Sequence, residues 1–323
     1  MSSNNLSAPS PEPSSNHHLE RLVIYANPAK AGVGDVVQRL GRWASGRGLG
    51  ICLTEDLAPL SADWPRKPEI YPCANHTPSP LRPAGSELLV CLGGDGTLLH
   101  GARRFWPLHA PVLAVNLGSL SFNATVDVER VVEAIEEWEA GRAKISERMA
   151  LKVRMLRDGA VTRETAVLND VVLSKQIDAR LIHVELRQGG ELVSGFAADG
   201  LIVATPTGST AYNLSAGGPI VMPTLKVMVV TAICPHTLAA RPVVLPPHPA
   251  VQMQFMPHHG RKQAVVWLDG QEEWPLDPDD RIDIEADPLS LKLVMLESFQ
   301  YFSRLRQKLS WSGKLGDTPG PEK

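Results

Sequence analysis

Gly93-Gly94-Asp95-Gly96-Thr97 stands between an apolar run, Glu87 to Leu92, and an apolar stretch of helical character, Thr97 to Phe105. Glycines at such a turn let the backbone approach a bulky anion with no Cβ in the way, and the unpaired N–H groups that open a helix attract phosphate oxygens. Asp95 stands among those donors as a carboxylate that is ionised near neutral pH and able to accept a proton from a sugar hydroxyl. The pentapeptide suits phosphoryl transfer, with a plain Asp-Gly turn as the competing reading.

A second stretch, Asp199-Gly200 through Thr205-Pro206-Thr207-Gly208-Ser209-Thr210-Ala211-Tyr212-Asn213-Leu214-Ser215 to Gly217-Gly218, is a strand feeding a hydroxyl-rich loop. Its Ser, Thr and Asn side chains offer neutral donors and acceptors for ribose and amide groups, and Tyr212 offers a face for a planar ring. Helix capping by Thr207 or Ser209 would use one hydroxyl of the four.

The elements that position these residues follow a change of grammar near residue 145. Before it come a strand at Arg21 to Ala26, a helix at Val36 to Arg47 weakened by Gly41, an irregular stretch at 57–86, the Glu87 strand and its helix, a strand at Pro111 to Asn116, and a helix from Val128 to Ala140 behind Asp127. Alternating strands and helices imply a Rossmann-like parallel sheet with its ligand site beyond the strand ends. After it, short strand-like runs separated by Asp158-Gly159 and Gly189-Gly190 imply a mostly β, sandwich-like half. Phe299, Phe302, Leu305 and Leu309 recur at helical spacing, so a terminal helix over 298–309 is expected to return to the first half. The expected organisation is a disordered tail at 1–20, an α/β domain at 21–145, a β-rich dinucleotide-binding domain at 146–297 and a flexible tail at 310–323.

From about residue 21 to 309 the chain resembles the NAD kinases, which use ATP to phosphorylate the 2′-hydroxyl of NAD and make NADP. The resemblance is carried by GGDGT at 93–97, Asn116-Leu117-Gly118-Ser119-Leu120, Asn169-Asp170, the block at 199–218, Arg241-Pro242 and Asp269-Gly270-Gln271. GGDGT is shared with diacylglycerol-kinase-like and phosphofructokinase-like enzymes; the 199–218 block is far more specific. The resemblance implies that Asp95 is the proton acceptor and that Gly93, Gly94, Gly96 and Thr97 line the phosphate path. It implies that Asn169 and Asp170 bind the adenosine part of NAD, and that Thr210, Ala211, Tyr212, Asn213, Leu214 and Ser215 surround its adenine and nicotinamide ends. Asp199, Gln271, Arg180 and His100 would add polar contacts. It further implies ATP with Mg²⁺ or another divalent cation, and a homodimer or homotetramer. Three positions depart from the family pattern: Asp170 where Glu is usual, Ser121 where Gly is usual, and Ala197 where many members carry a polar residue.

Composition narrows the classes. With 43 % hydrophobic and 21 % charged residues over 323, the chain is ordinary for a globular protein, and a formal charge of -3 encodes no bulk attraction to nucleic acid or anionic membrane. The apolar stretches are too short to span a membrane, and four cysteines without CxxC pairing fit free thiols in a reducing cytoplasm. Walker A and protein-kinase catalytic motifs are missing. An oxidoreductase reading rests on Gly32-Val33-Gly34, whose third fingerprint glycine is replaced by Val37. A non-catalytic NAD sensor is the other alternative. The pairs His17-His18 and His258-His259 lack the spaced partners of a closed metal site. Arg103-Arg104 and the Arg304, Arg306, Lys308 run suit phosphates or a solvated helix face.

Overall fold

A computed structural model describes residues 17–72, 86–118, 121–176, 181–256, 264–278 and 280–311. The tail expectations, Arg180, His258-His259 and Ser119-Leu120 fall wholly or mostly outside these residues.

The first half contains strands β1 (Arg21–Ala26), β2 (Gly50–Thr54), β3 (Glu69–Tyr71), β4 (Glu87–Gly93), β5 (Val112–Asn116) and β6 (Val126–Asp127), with helices α1 (Val33–Gly46), α2 (Asp95–Arg104) and α3 (Val131–Glu139). The strands pair in parallel, β1 lying between β2 and β4. The chain therefore winds outward through β2 and β3, then restarts at β4 on the other side of β1. That reversal opens a crevice at the strand C-termini, where an α/β sheet binds its ligand, and Gly93 ends β4 there. Near-continuous apolar runs such as Leu88 to Leu92, all buried, are what a sheet covered on both faces requires.

Local expectations needed adjustment where tertiary contacts decide. Gly41, which weakens the helical pattern of α1, lets the helix pack directly on the indole, since a Cβ there would stand 2.1 Å from the Trp64 ring. The stretch expected to be irregular holds a 3₁₀ segment at Glu55–Ser61 and the short β3. The helix expected from Val128 opens instead as a 3₁₀ turn, Val128–Arg130, and Asp127 makes no side-chain cap hydrogen bond. His17 stacks on Trp138 with ring centroids 4.8 Å apart, which accounts for it as packing.

The second half adds β7 (Lys144–Arg157), β8 (Ala160–Val167), β9 (Asp170–Lys175), β10 (Ile182–Gln188), β11 (Glu191–Ala198), β12 (Gly200–Ala204), the one-turn α4 (Tyr212–Ser215), β13 (Met228–Ile233), β14 (Val243–Leu245), β15 (Val251–Met256), β16 (Ala264–Leu268), β17 (Glu272–Leu276), β18 (Arg281–Met295) and α5 (Tyr301–Lys308). Six of them form an antiparallel sheet ordered β14-β13-β12-β9-β16-β17. The other six strands extend the first sheet, because β18 pairs antiparallel with β7 along its length and meets β5 in parallel at Leu293 and Val112. One sheet thus runs through both halves, and the sandwich is its β-rich end facing the six-stranded sheet. Leu151, Val153, Ile282 and Ile284 of one face pack with Leu173, Leu201, Val203 and Val266 of the other. No helix among the described residues is long and apolar enough to cross a membrane.

Candidate functional site

Asp95 is the first residue of α2, immediately after the Gly93-Gly94 turn. Its carboxylate accepts hydrogen bonds from the Ser121 hydroxyl, from the N–H of Phe122 at 3.0 Å and of Asn123 at 2.8 Å, and from Lys308 Nζ at 3.2 Å. Burial disfavours its charge, but these four donors outweigh burial and hold its pKa below the usual carboxylate range. Ser121 Oγ in turn accepts the N–H of Ala124 at 2.8 Å, so the loop after β5 is built around the carboxylate. Ser121 is therefore held by bonding to Asp95, and it gives the site a donor that glycine would lack.

The glycines beside Asp95 divide into two kinds. A Cβ at Gly93 would stand 2.1 Å from Thr97 Oγ1, so that glycine lets the strand close onto the helix. Cβ atoms at Gly94 and Gly96 would meet nothing within 4 Å, which leaves open space for a ligand along the turn. Thr97 acts in closing the turn. His100 lies further along α2, bonded through Nδ1 to the Tyr25 hydroxyl and stacked on that ring at 5.6 Å. Burial, then Arg103 and Arg104, hold its pKa below the ordinary histidine value.

Gln271 reaches the same turn from the other sheet: its Nε2 donates to the Gly96 carbonyl at 3.2 Å. Arg103 makes a second tie, donating to the Leu268 carbonyl at 2.8 Å and pairing with Glu272. The β16–β17 hairpin is thus fastened to α2, and Arg103 is a bridge between sheets instead of a solvated helix charge.

Behind that hairpin Asn169, Asp170, Ala211, Tyr212, Trp267 and Asp269 line a cavity of about 460 Å³. Asn169 Oδ1 is buried there with no hydrogen-bond partner, an acceptor awaiting a donor. Asp170 is buried beside Asp269; burial first, and the neighbouring carboxylate second, push its pKa up to about 7. Asp269 is also raised by burial, against the N–H groups it accepts from Leu168, Asn169 and Asp170 and the nearby Arg103 charge. Its backbone adopts φ 53, a left-handed conformation that the hairpin turn imposes. The Tyr212 and Trp267 rings are 47 % and 37 % exposed, giving the cavity two aromatic faces open to a planar ring.

The rest of the hydroxyl-rich loop is mainly scaffold. Asn213 is fully buried: its Nδ2 donates to the Ser209 and Pro219 carbonyls and its Oδ1 accepts from Thr231 Oγ1, so its amide is spent inside the fold. Neither Thr207 nor Ser209 caps a helix; Ser209 Oγ donates to the Pro206 carbonyl at 2.6 Å and accepts the Val221 N–H at 3.0 Å. Thr210 Oγ1 donates within the loop to the Thr207 carbonyl at 3.4 Å, and Ser215 is exposed at the end of α4 beside the half-buried Leu214. Asp199 forms an ion pair with Lys175 at 2.6 Å. Arg180 lies outside the described residues.

Ser121, Lys308, Trp267 and the anchoring action of Asp269 are the contributions that the motifs alone do not reveal. Asp269 stood within Asp269-Gly270-Gln271, a stretch that carries the resemblance but does not show its anchoring bonds; Lys308 lies 213 positions from Asp95 and carried no sign beyond its basic run.

Comparison with known proteins agrees on one lineage. Residues 22–143 match the model of the ATP-NAD kinase N-terminal domain and residues 168–296 that of the ATP-NAD kinase C-terminal domain. The chain is 39 % identical over 289 residues to the NAD kinase of Heliobacterium modesticaldum, covering 88 % of this chain and 97 % of that one. It is 36 % identical over 294 residues to the NAD kinase of Geotalea daltonii, covering 91 % and 99 %. Among solved structures, yeast NADH kinase complexed with NADH superposes with a TM-score of 0.81 at 26 % identity over 92 % of this chain and 89 % of that one. An NAD kinase from Archaeoglobus fulgidus in complex with ATP shares the fold, with a TM-score of 0.62 at 22 % identity over 90 % and 97 %.

Proposed function

The chain belongs to the ATP-NAD kinase family, and on that premise we propose that it transfers the γ-phosphoryl group of ATP to the 2′-hydroxyl of the adenosine ribose of NAD, with Asp95 taking the hydroxyl proton. In that step the 2′-oxygen bonds to the γ-phosphorus, the bond from that phosphorus to the β,γ-bridging oxygen breaks, and the products are NADP and ADP. The observation that carries this reading is the placement of Asp95 at the strand-end crevice, tied through Gln271 and Gly96 to the hairpin that bounds the Asn169 cavity. A dinucleotide seated on the two aromatic faces, with its adenosine ribose turned toward Asn169 Oδ1 and Asp170, brings a sugar hydroxyl toward the turn that holds the base.

Catalysis on this reading is positioning and charge stabilisation. Gly94 and Gly96 leave the room in which donor phosphates approach the opening of α2. Mg²⁺, or another divalent cation, would be carried on the donor's phosphates. When bound it neutralises phosphate charge. The same reading carries a cytoplasmic, homo-oligomeric protein, and the buried free thiols Cys52 and Cys91 suit a reducing compartment.

The test is product analysis with purified protein, NAD or NADH, ATP or polyphosphate, and Mg²⁺. NADP formation by the native chain and its loss of at least about a hundredfold in Asp95→Asn are expected. Near-native turnover by Asp95→Asn removes Asp95 from the role of base, and hydride exchange with NADPH without ATP would favour the oxidoreductase alternative.

A further inference from the structure

Arg148 is an anomaly of the fold. It lies on β7, is only 3 % exposed, and donates through Nε to Ser146 Oγ at 3.0 Å, yet among the described residues no carboxylate pairs with its guanidinium. Burial pulls its pKa down to about 10, against the opposing charges of Tyr301 and Asp95. Asp95 and Tyr301 act on this guanidinium only from beyond ion-pair distance, and a buried guanidinium with no carboxylate bonded to it is unfavourable, so the place suits an anion that arrives later.

The surroundings indicate where that anion sits. Arg148 lines a cleft of about 1180 Å³ between the start of β7 and the chain leading into α5, together with Leu108, Met149, Phe299 and Tyr301. The Tyr301 hydroxyl is buried and has no hydrogen-bond partner, and burial raises its pKa while the Arg148 charge lowers it, so the two groups are neighbours. Tyr301 opens α5 and Lys308 closes it. Seven residues apart, they lie on one face of the helix, with Tyr301 at Arg148 and Lys308 at Asp95. The Lys308 ammonium also rests 4.1 Å from the centre of the Phe122 ring.

We propose that Arg148, Tyr301 and Lys308, brought together by β7 and the C-terminal helix, form the cradle that holds the phosphates of the phosphoryl donor opposite Asp95. The assignment rests on the kinase reading above and adds the donor's binding groups to it. A planar guanidinium and a phenol suit non-bridging phosphate oxygens, and the ammonium supplies a point charge at the end nearest the base. In the free protein Lys308 is occupied by Asp95; a donor phosphate drawing that ammonium away leaves the carboxylate without its counter-charge and therefore more basic when the hydroxyl proton must be accepted. Facing Asp95 in that step are Lys308 from α5, Arg148 from β7, and the Ser121 hydroxyl with the Phe122 and Asn123 N–H groups from the loop after β5.

The experiment compares Arg148→Met, Arg148→Lys and Lys308→Met with the native chain in three measurements: melting temperature without ligand, melting shift with the β,γ-imido analogue of ATP and Mg²⁺, and KM for ATP and for NAD. Removing an unpaired buried charge is expected to raise the melting temperature of ligand-free Arg148→Met, the opposite of what a structural arginine would do. The shift with the ATP analogue should shrink, and KM for ATP should rise about tenfold or more while KM for NAD stays within about twofold. Arg148→Lys should recover part of the donor affinity. A lower melting temperature for Arg148→Met with unchanged KM for ATP in all three variants would overturn the assignment, as would a rise confined to KM for NAD. Binding of the ATP analogue is read without turnover, so a native chain that makes no NADP defeats the kinase reading separately from the cradle.

Discussion

The side-chain amide of Gln271 donates to the backbone carbonyl of Gly96, joining a hairpin turn of one sheet to the turn that carries Asp95 on the other. On the proposed reading this bond registers the Asn169 cavity against Asp95. It is exposed, so its deletion should cost the fold little, on the order of 1 kcal/mol. Its effect on the reaction should be larger in kcat than in KM for NAD, because the cavity survives while its alignment with Asp95 loosens. Steady-state kinetics of Gln271→Ala should show kcat falling about tenfold; unchanged kcat with intact folding would mean that Arg103 alone holds the register.

Ser121→Gly removes one donor to Asp95. Burial raises the Asp95 pKa and its hydrogen-bond donors lower it, so losing Ser121 shifts it upward. A depressed carboxylate stabilises the fold above its unfolded pKa, and that contribution disappears as pH falls through the folded pKa. The variant should therefore be less stable at neutral pH by about 1 kcal/mol. The acid limb of kcat/KM should move to higher pH. A pH profile that superposes on the native one would show that the Ser121 bond is lost when substrates bind.

Much of this site was legible in sequence because it is local. A glycine turn between an apolar strand and an apolar helix places Asp95 at a strand end whatever the rest of the chain does, and the block at 199–218 reads as a strand entering a loop of hydroxyls. The pairings that complete the site are not local. Asp269 collects the N–H groups of residues 99 to 101 positions earlier, and Lys308 reaches Asp95 only because β18 returns the chain to β5. The apolar alternation of β18 announces a strand without naming its partner, so the continuation of one sheet through both halves could not be read from it. Asn213 shows another limit: its place in a hydroxyl-rich loop does not reveal that its side-chain amide is bonded within the fold.

Asp170 and Asp269 make the site's response to pH unusual. The folded pKa of Asp170 is pushed up to about 7 by burial and by Asp269, above the unfolded carboxylate value. Its contribution is fully present below the unfolded pKa and is lost as pH rises through about 7, so the ligand-free protein should weaken between about pH 4 and pH 7. Asp170→Asn should flatten that decline and melt higher than the native chain at pH 8, by on the order of 1 kcal/mol in stability. A ribose hydroxyl is held best by an ionised carboxylate, so NAD binding near pH 7 should release protons. Calorimetric enthalpies should then vary with the buffer's ionisation enthalpy in the native chain and not in Asp170→Asn.

Gly96 offers the sharpest separation of stability from activity. It is the second residue of α2 and its φ is ordinary, so alanine fits the backbone and reduces the freedom of the unfolded chain. A Cβ there meets no atom within 4 Å in the free protein. Gly96→Ala should therefore melt at or above the native temperature, with a gain of about 0.5 kcal/mol or more. On the proposed reading the new methyl would stand in the space that donor phosphates take, where a backbone approach tolerates no Cβ. KM for ATP should rise or kcat fall by about tenfold or more while KM for NAD changes little. Wild-type kinetics in a fully folded Gly96→Ala would show that the phosphates pass elsewhere, and that the glycines of the turn serve only the closure seen between Gly93 and Thr97.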